Sequence, residues 1–564
     1  MTQKSRTSQV GRFLTSSVGA GDVFTREDLT ADQKLFGQAA AEFMRREVTP
    51  VAARLYARDW PLTRELLRKA GALDLLRLEI PEVYGGLGLD KASAAYVAEQ
   101  IGINPSFGGS IGAHIGIGTL PLLYFGNAEQ KAQYLPRLAS GEMVAAYALT
   151  EPGSGSDALA ARTTATLSAD GTHYVLQGRK MWITNGGFAD LFTIFAKVDG
   201  TRFTGFLVER GMGVVSGPDE HKLGLDGSST TELILEDVRV PVRNVLGTIG
   251  EGHKVAFNTL NLGRVKLGSR NLACAKHALA NAAQYARERV QFGKPIGAFG
   301  MIQHKLAEMA IRCYVGDAMV YRTLGDVDRA LAAVDPADGP AVLATIEQFA
   351  VECSINKVAS SEALAYVVDE ALQVYGGNGY SREFPAERPY RDARITRIYE
   401  GTNEINRMII PTRILKQGVP ADLPAGGAGE RGLLNATKRL TIAMLAGVAQ
   451  VFGERARDQQ EVLAHVADVI IDGYAIESAL ARSEKLSAAS STVAALATDM
   501  TQVFVADAAD RIVHAAKQVA HALGAAAAAT RERIAPIAAH PGVDSVAARR
   551  RIAAAVLAAG GHPM

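Results

Sequence analysis

Twice along this chain the spacing of apolar side chains changes its period, and those two changes limit the fold more than any other feature. Behind Thr30, an N-cap candidate, Leu35, Phe36, Ala39, Phe43 and Met44 recur at helical spacing, and the pattern continues through residues 62 to 78 and 92 to 101. Near residue 146 it gives way to short β-branched and aromatic runs beginning at Thr164, His173, Leu191, Gly205 and Thr231, with turn signals such as Asp199-Gly200 between them. From Gly252 the helical period returns and holds to about Lys416, interrupted at residues 297 to 300, 335 to 340 and 376 to 377. A Gly, Pro and Ala-rich stretch then precedes a last helical block. One of its stripes is Val462, Val466, Val469, Ile470 and Tyr474, and another is Val505, Ala509, Ile512, Ala516, Val519 and Leu523. The expected architecture is multi-domain α+β. It comprises an N-terminal arm (1–30), an all-α domain (31–145), a middle antiparallel β-barrel domain (146–250), a helical bundle (251–416), a linker (417–430) and an additional C-terminal helical domain (431–564).

With 564 residues, the chain is too long for one core. Lys plus Arg number 60 against 59 Asp plus Glu, a net charge of +1, so charge gives no reason to expect a nucleic-acid partner. Cys274, Cys313 and Cys353 are widely spaced in apolar helical contexts, as buried thiols of a reducing compartment are, and the histidines show no metal spacing. The N-terminus lacks a signal-peptide apolar region and no run reaches the ~18 apolar residues of a spanning helix. The expectation is a soluble cytoplasmic protein. The short apolar run from Leu440 to Phe452 is the place to look for peripheral contact, as at an inner membrane.

Four segments carry chemistry. In R-I-Y-E-G-T-N-E-I-N-R, Glu400 stands between Tyr399 and Gly401 with Ile398 and Ile405 close by, which suits a base shielded from water. Taken alone, the same tetrapeptide also fits a helix end with a solvated acid. G-S-G-S-D-A from Gly153 matches the G-x-G-x-x-A dinucleotide fingerprint formally, but β pattern resumes at Thr163 where that site needs a long helix. K-M-W-I-T-N-G holds Trp182, and a lone Trp in a strand is more often core. Together with Q-V-Y-G-G-N-G-Y and Y-A-L-T-E-P-G-S-G-S-D, these segments resemble the flavin-dependent acyl-CoA dehydrogenases over roughly residues 35 to 415. The arm and the extra C-terminal block look like the very-long-chain branch of that family.

The resemblance implies FAD as cofactor and assigns its contacts. Tyr147, Leu149, Thr150, Gly155 and Ser156 form a loop at the flavin edge, with Ser156 between the flavin and the CoA arm. Trp182 packs on the ring system, beside Ile183, and the Thr184 hydroxyl reaches N5. Arg289, Phe292 and Gln303 belong to a segment that reaches from a neighbouring subunit to the pyrophosphate, where the planar guanidinium matches phosphate. Gln373, Gly376 and Gly377 meet the adenosine half, and Thr402 and Glu404 complete the FAD side. Ser156, Asn261, Arg264 and Gly401 are the substrate positions near the thioester and CoA. Gly109 and Ala113 stand where shorter-chain members close the acyl pocket with bulky side chains.

By the same resemblance, Glu400 removes the α-proton of an acyl-CoA while the β-hydrogen leaves as hydride to the flavin. The backbone N–H of Glu400 and a flavin hydroxyl hold the thioester carbonyl. Apolar neighbours would raise the Glu400 pKa. Some members carry the base just before the arginine on the Asn261 helix, and this chain has Gly263 there. The implied product is a trans-2-enoyl-CoA of fatty-acid β-oxidation, the implied acceptor an electron-transfer flavoprotein, and the implied assembly a homodimer. No metal is expected. An acyl-CoA oxidase on the same fold, or a scaffold role for the additional block, remain alternatives at the level of sequence.

Overall fold

The computed structural model describes residues 10 to 336, 338 to 421 and 424 to 564. Residues 1 to 9 of the expected arm, Ala337 of the expected turn, and Asp422 and Leu423 of the expected linker lie outside the described residues. The chain forms two compact units: Leu29–Ala273 with Asp328–Glu347, and Met1–Asp28 with Cys274–Val327 and Gln348–Met564.

The first unit opens with helices α1 (Ala31–Phe43), α2 (Trp60–Ala72), α3 (Lys91–Ile101), α4 (Pro105–Ala113) and α5 (Ala128–Ala139). Their starts follow local chemistry. Thr30 and Gln33 form a reciprocal capping box at α1, and Asp59, Asp90 and Asn104 accept N–H bonds at the next three. Strands β1 (Ala145–Ala148), β2 (Thr164–Leu167), β3 (His173–Thr184), β4 (Leu191–Val198), β5 (Arg202–Glu209), β6 (Val215–Asp219), β7 (Thr230–Pro241) and β8 (Val245–Leu246) form one sheet. Its path runs β6-β7-β3-β2-β4-β5-β8, with β1 also on β4.

The sheet corrects the expected all-antiparallel domain. β1 and β2 both run parallel to β4 and share one of its edges, Ala148 facing Ile194 and Thr164 facing Lys197. β1 and β2 lie end to end along that edge, against Leu191–Ile194 and Lys197–Val198 in turn, and residues 149 to 163 loop out of the sheet between them. Phe43, Phe107 and Ile111 from the helices pack with Ala146, Ile183, Phe192 and Leu233 from the sheet in one core. Helix α6 (Gly252–Glu288) gives its first part to this unit and its last part to the other.

The second unit holds a hairpin, β9 (Val290–Gln291) with β10 (Lys294–Pro295), then most of α7 (Gly300–Leu331), α8 (Ala350–Tyr375) and α9 (Asn403–Gln417). It continues through α10 (Gly429–Phe452), α11 (Gln460–Ala488), α12 (Ala494–Leu523) and α13 (Ser545–Ala559). Both apolar stripes of the additional block turn into this unit's own core, where Val466, Val469, Tyr474, Val505, Ile512 and Val519 are buried. Each such side chain is worth about 1.5–3 kcal/mol. Leu440, Met444, Leu445 and Val448 of α10 are in the same core, so the run considered for membrane contact spends most of its apolar side chains there. Among the described residues no helix is long and apolar enough to cross a membrane.

Buried charge fixes how these helices meet. Glu477, fully buried on α11, accepts from Arg322 (2.9 Å) and Lys438 (2.6 Å), and the Arg322 guanidinium lies 4.2 Å from the Tyr474 ring centre. Removing one member would leave uncompensated charge at a cost of about 3–5 kcal/mol. The polar arm belongs to the same network. Phe13 sets its ring edge-on to Tyr474 at 5.2 Å, the Val18 N–H donates to Glu477 (3.0 Å), Lys438 donates to the Ser16 carbonyl (2.7 Å), and Arg482 pairs with Glu27 (2.5 Å).

Candidate active site

In the first unit the chemistry-bearing motifs meet at one strand irregularity. Lys180 faces Leu233 and Ile183 faces Thr231, so β3 carries one residue more than β7 across that interval. Trp182 takes up the extra residue with φ +61° and is 52% exposed. A bulky side chain in the left-handed region costs on the order of 1–3 kcal/mol, and such strain gathers at functional positions. Ile183 is buried, so only its backbone is available to a ligand, while Thr184 is half-buried.

Beside Trp182 in the chain's hydrogen bonding lies the loop between β1 and β2. The Met181 N–H donates to the Thr150 carbonyl (2.8 Å), and Glu151 and Ser154 exchange backbone bonds (3.0 Å each) that close a tight turn over Pro152 and Gly153. Side chains at Gly153 or Gly155 would meet nothing within 4 Å, and Ser156 is exposed. Only a single 3-10 turn, Ala158–Ala160, follows, so the formal dinucleotide fingerprint has no helix to serve it. Tyr147 and Leu149 are buried, the Tyr147 hydroxyl donating to the Ala256 carbonyl (3.3 Å).

On α6, Asn261 and Arg264 are both buried, with the guanidinium donating to the Asn261 side-chain Oδ1 (3.0 Å). The glycines of α4 divide by role. A β-carbon on Gly112 would come within 1.8 Å of the Arg270 guanidinium, the end of a flexible side chain that would have to swing away from the Gly108 carbonyl to which it donates (2.9 Å). At Gly109 the only neighbour is the Ser228 hydroxyl at 3.4 Å. Ala113 is buried, and after it the helix passes into a π turn, His114–Gly118. His114 accepts the Ala145 N–H on Nδ1 and reaches the Leu138 carbonyl with Nε2. Burial lowers its pKa to about 4, so it is neutral and structural.

The second unit carries Glu400 at the end of a 3-10 turn, Arg394–Arg397, just ahead of α9. Glu400 has φ +55° and Gly401 φ +83°, and the Thr402 hydroxyl then accepts the Ile405 N–H (3.2 Å) to cap the helix. Asn406 pins the Gly401 and Thr402 carbonyls at 2.8 and 3.0 Å. The carboxylate is half-buried, with Oε2 shut off from solvent. The expected apolar jacket is corrected in part: Ile398 is 47% and Tyr399 36% exposed, while Ile405 is half-buried.

Among the other expected positions of this unit, Arg289 is exposed directly after α6, and the hairpin tip sets Phe292 (φ +51°) and Gly293 (φ +78°) in a two-residue turn with the Phe292 ring 94% exposed. Gln303 donates to the Gly297 carbonyl (3.2 Å). Gln373 is exposed, and Gly376 and Gly377 have open space where side chains would stand. Glu404 is exposed, with its carboxyl held below the usual range by its own backbone N–H and Thr402. Two residues inside the motifs escaped the sequence reading, Glu151 and Lys180. A lysine and an acid among otherwise apolar and glycine neighbours were the available signal, and the structure pairs them at 2.7 Å with Lys180 fully buried.

A helical domain, a mixed sheet and a helical bundle, with these motifs at the strand bulge and ahead of α9, define a flavoenzyme-type CH–CH oxidoreductase fold, and the chain belongs to the acyl-CoA dehydrogenase family. Its N-terminal, middle and C-terminal family domains match residues 30–142, 146–238 and 250–415, and a further acyl-CoA dehydrogenase C-terminal domain matches 436–533. A probable acyl-CoA dehydrogenase of Bacillus subtilis (strain 168) is 44% identical over 535 residues, covering 90% of each chain. The crystal structure of an acyl-CoA dehydrogenase complexed with FAD from Bacillus anthracis is 41% identical with a TM-score of 0.95, over 98% of this chain and 100% of that one. The very long-chain specific mitochondrial enzyme of Macaca fascicularis is 39% identical over 406 residues, 68% of this chain and 60% of its own length.

Proposed function

We propose that this chain binds FAD and dehydrogenates long-chain acyl-CoA thioesters to trans-2-enoyl-CoA, as in fatty-acid β-oxidation, with Glu400 as the base and an electron-transfer flavoprotein as acceptor. The observation that carries this reading is the Glu400 turn. Two successive left-handed residues, locked by Thr402 and Asn406, hold one carboxylate at a fixed place, and Gly263 leaves the alternative position without an acid.

The residues present suit FAD. A half-exposed indole offers a face for a flat ring, Thr184 offers a hydroxyl, and the unshadowed backbone around Gly153 and Gly155 admits close approach. When bound, FAD supplies a two-electron acceptor for the β-hydrogen. The family resemblance assigns its contacts to Thr150, Gly155, Ser156, Trp182 and Thr184, to Arg289, Phe292 and Gln303 of a neighbouring subunit, and to Gln373, Gly376, Gly377, Thr402 and Glu404. Phe292, Met301 (81%) and Tyr380 (90%) are exposed apolar groups that a second copy would cover, which supports a homodimer.

Glu400 takes the α-proton, and its own backbone N–H stabilises the charge that gathers on the thioester oxygen. Asn261, Arg264 and Ser156 orient the CoA end. Gly109, where an added β-carbon would make only an ordinary contact with Ser228 (3.4 Å), and the small Ala113 support an acyl pocket left unclosed by bulky side chains and hence a long chain. Anaerobic titration of the holoprotein with C4 to C20 acyl-CoAs tests this directly: flavin absorbance should bleach with long chains, and reoxidation should be fast with an electron-transfer flavoprotein and slow with oxygen. An unbleached flavin across the panel refutes it.

A further inference from the structure

We infer that the buried pair of Lys180 and Glu151 is a positioning device for the flavin-facing wall, holding the Thr150 loop and the Trp182 bulge in one register; this rests on the FAD reading above. Glu151 gathers three donors from two segments. Its Oε1 accepts the Lys180 ammonium (2.7 Å) and the Thr163 N–H (3.1 Å), and its Oε2 accepts the Arg162 N–H (2.6 Å). Lys180 donates again to the Leu149 carbonyl (3.3 Å). One ammonium therefore grips the residue before Thr150 and the residue after it, while Thr150 itself accepts from Met181, the neighbour of Lys180.

The bulge makes this arrangement productive. In a regular strand Lys180 and Trp182 would share a face, since side chains alternate with period two. The extra residue reverses the alternation, so that Lys180 is fully buried while Trp182 turns outward. Fixing Lys180 thus fixes the base from which the indole projects. A pair retained for stability alone would be a poor choice, because an apolar pair of similar volume often serves as well or better. What the ions add is direction, at both groups assigned to the flavin. Burial draws the Lys180 ammonium down to about 8, and its attraction to Glu151 keeps it protonated at neutral pH. Burial alone would raise the Glu151 carboxyl, but Lys180 and the N–H donors outweigh it and hold it low.

The test compares wild type, Lys180→Met and the neutral double variant Lys180→Met with Glu151→Gln. Three quantities are measured: the thermal midpoint of the apoprotein, FAD dissociation constants by flavin fluorescence, and the visible spectrum of the bound flavin. The single variant should lose both stability and FAD. The double variant should regain most of the midpoint yet bind FAD at least about tenfold more weakly, with a shifted spectrum, as expected for the loss of one well-placed hydrogen bond. Recovery of wild-type FAD affinity together with the midpoint overturns the inference, because the pair would then be structural only. If the double variant does not fold, Lys180→Arg replaces it, since it keeps the charge and changes only where it bonds; wild-type affinity there likewise overturns the inference. A wild-type protein that binds no FAD would sink the functional reading itself, and this inference with it.

Discussion

Gly109 and Gly112 stand three residues apart on α4, yet substitutions there should act on different quantities. At Gly109 a new β-carbon meets only the Ser228 hydroxyl at 3.4 Å, an ordinary contact, so Gly109→Gln costs little stability and places its side chain in the proposed acyl pocket. Each methylene that the pocket can no longer bury costs about 0.8 kcal/mol. A glutamine side chain occupies the length of roughly four methylenes, so about 3 kcal/mol is lost for chains that reached past this point, which is on the order of 100-fold in kcat/KM. Chains too short to reach it should be unaffected, and Ala113→Glu added to the same chain should shift the optimum further down. Gly112→Ala is the control, because its β-carbon would displace the Arg270 guanidinium, 1.8 Å away, from its bond to the Gly108 carbonyl. It should lower the thermal midpoint and leave the ratio of C16 to C6 activity near wild type. The assay is kcat/KM across C4 to C20 acyl-CoA. A wild-type optimum at C4 to C8, or an equal loss at all lengths in Gly109→Gln, would refute the reasoning.

Glu400→Gln should keep its yellow FAD and fold while turnover falls ~10³-fold or more; near wild-type turnover would remove Glu400 as the base. Glu352 is buried in the second unit, and burial, with the charge of Asp326, pushes its carboxyl up to about 8 from an ordinary 4.5. The native state thus keeps a proton that the unfolded chain releases between pH 4.5 and 8, so this group makes stability fall as pH rises through that window. Glu352→Gln should be near neutral at pH 4 and stabilising by about 3 kcal/mol at pH 7, read from thermal midpoints against pH; a difference that does not change with pH would be wrong for this cause. Sedimentation should give the mass of two chains, and a four-chain mass would count against a dimer.

Much of the architecture is legible because apolar period is a local signal: the helices, the strands and the stripes of the additional block lie where the spacing places them. The parallel pairings of β1 and β2 are not, since sharing one edge of β4 depends on residues about 45 and 30 positions away rather than on either strand's own pattern. Nor is the backbone at Trp182 or Glu400, where local preference argues against left-handed φ and the surrounding structure overrides it. Motif resemblance nominates residues for the site, but not their state. Around Glu400 it counted Ile398 and Tyr399 as cover because they are apolar neighbours in sequence, whereas a turn can place sequence neighbours on opposite sides. Lys180 and Glu151 sat inside motifs read for their glycines and aromatics, and their pairing across 29 positions had no local signature.

The bond from Val18 to Glu477 spans 459 residues, and the one from Lys438 to Ser16 spans 422. At about 5–20 residues per second, a ribosome that has released residue 18 needs roughly 25–90 seconds more to reach residue 477. For that interval the arm has no counterpart, and Phe13 and Leu14 are apolar groups exposed in the company of chaperones and of other nascent chains. Helices α10 and α11 meet the opposite condition: on emerging, they find their last ligands already made and waiting at the far end of the same molecule. Assembly of the second unit is therefore a closing event that comes after synthesis of most of the chain. Amino-terminal fusions or truncations that hinder the arm should lower the yield of the mature fold well before they disturb any residue of the reaction.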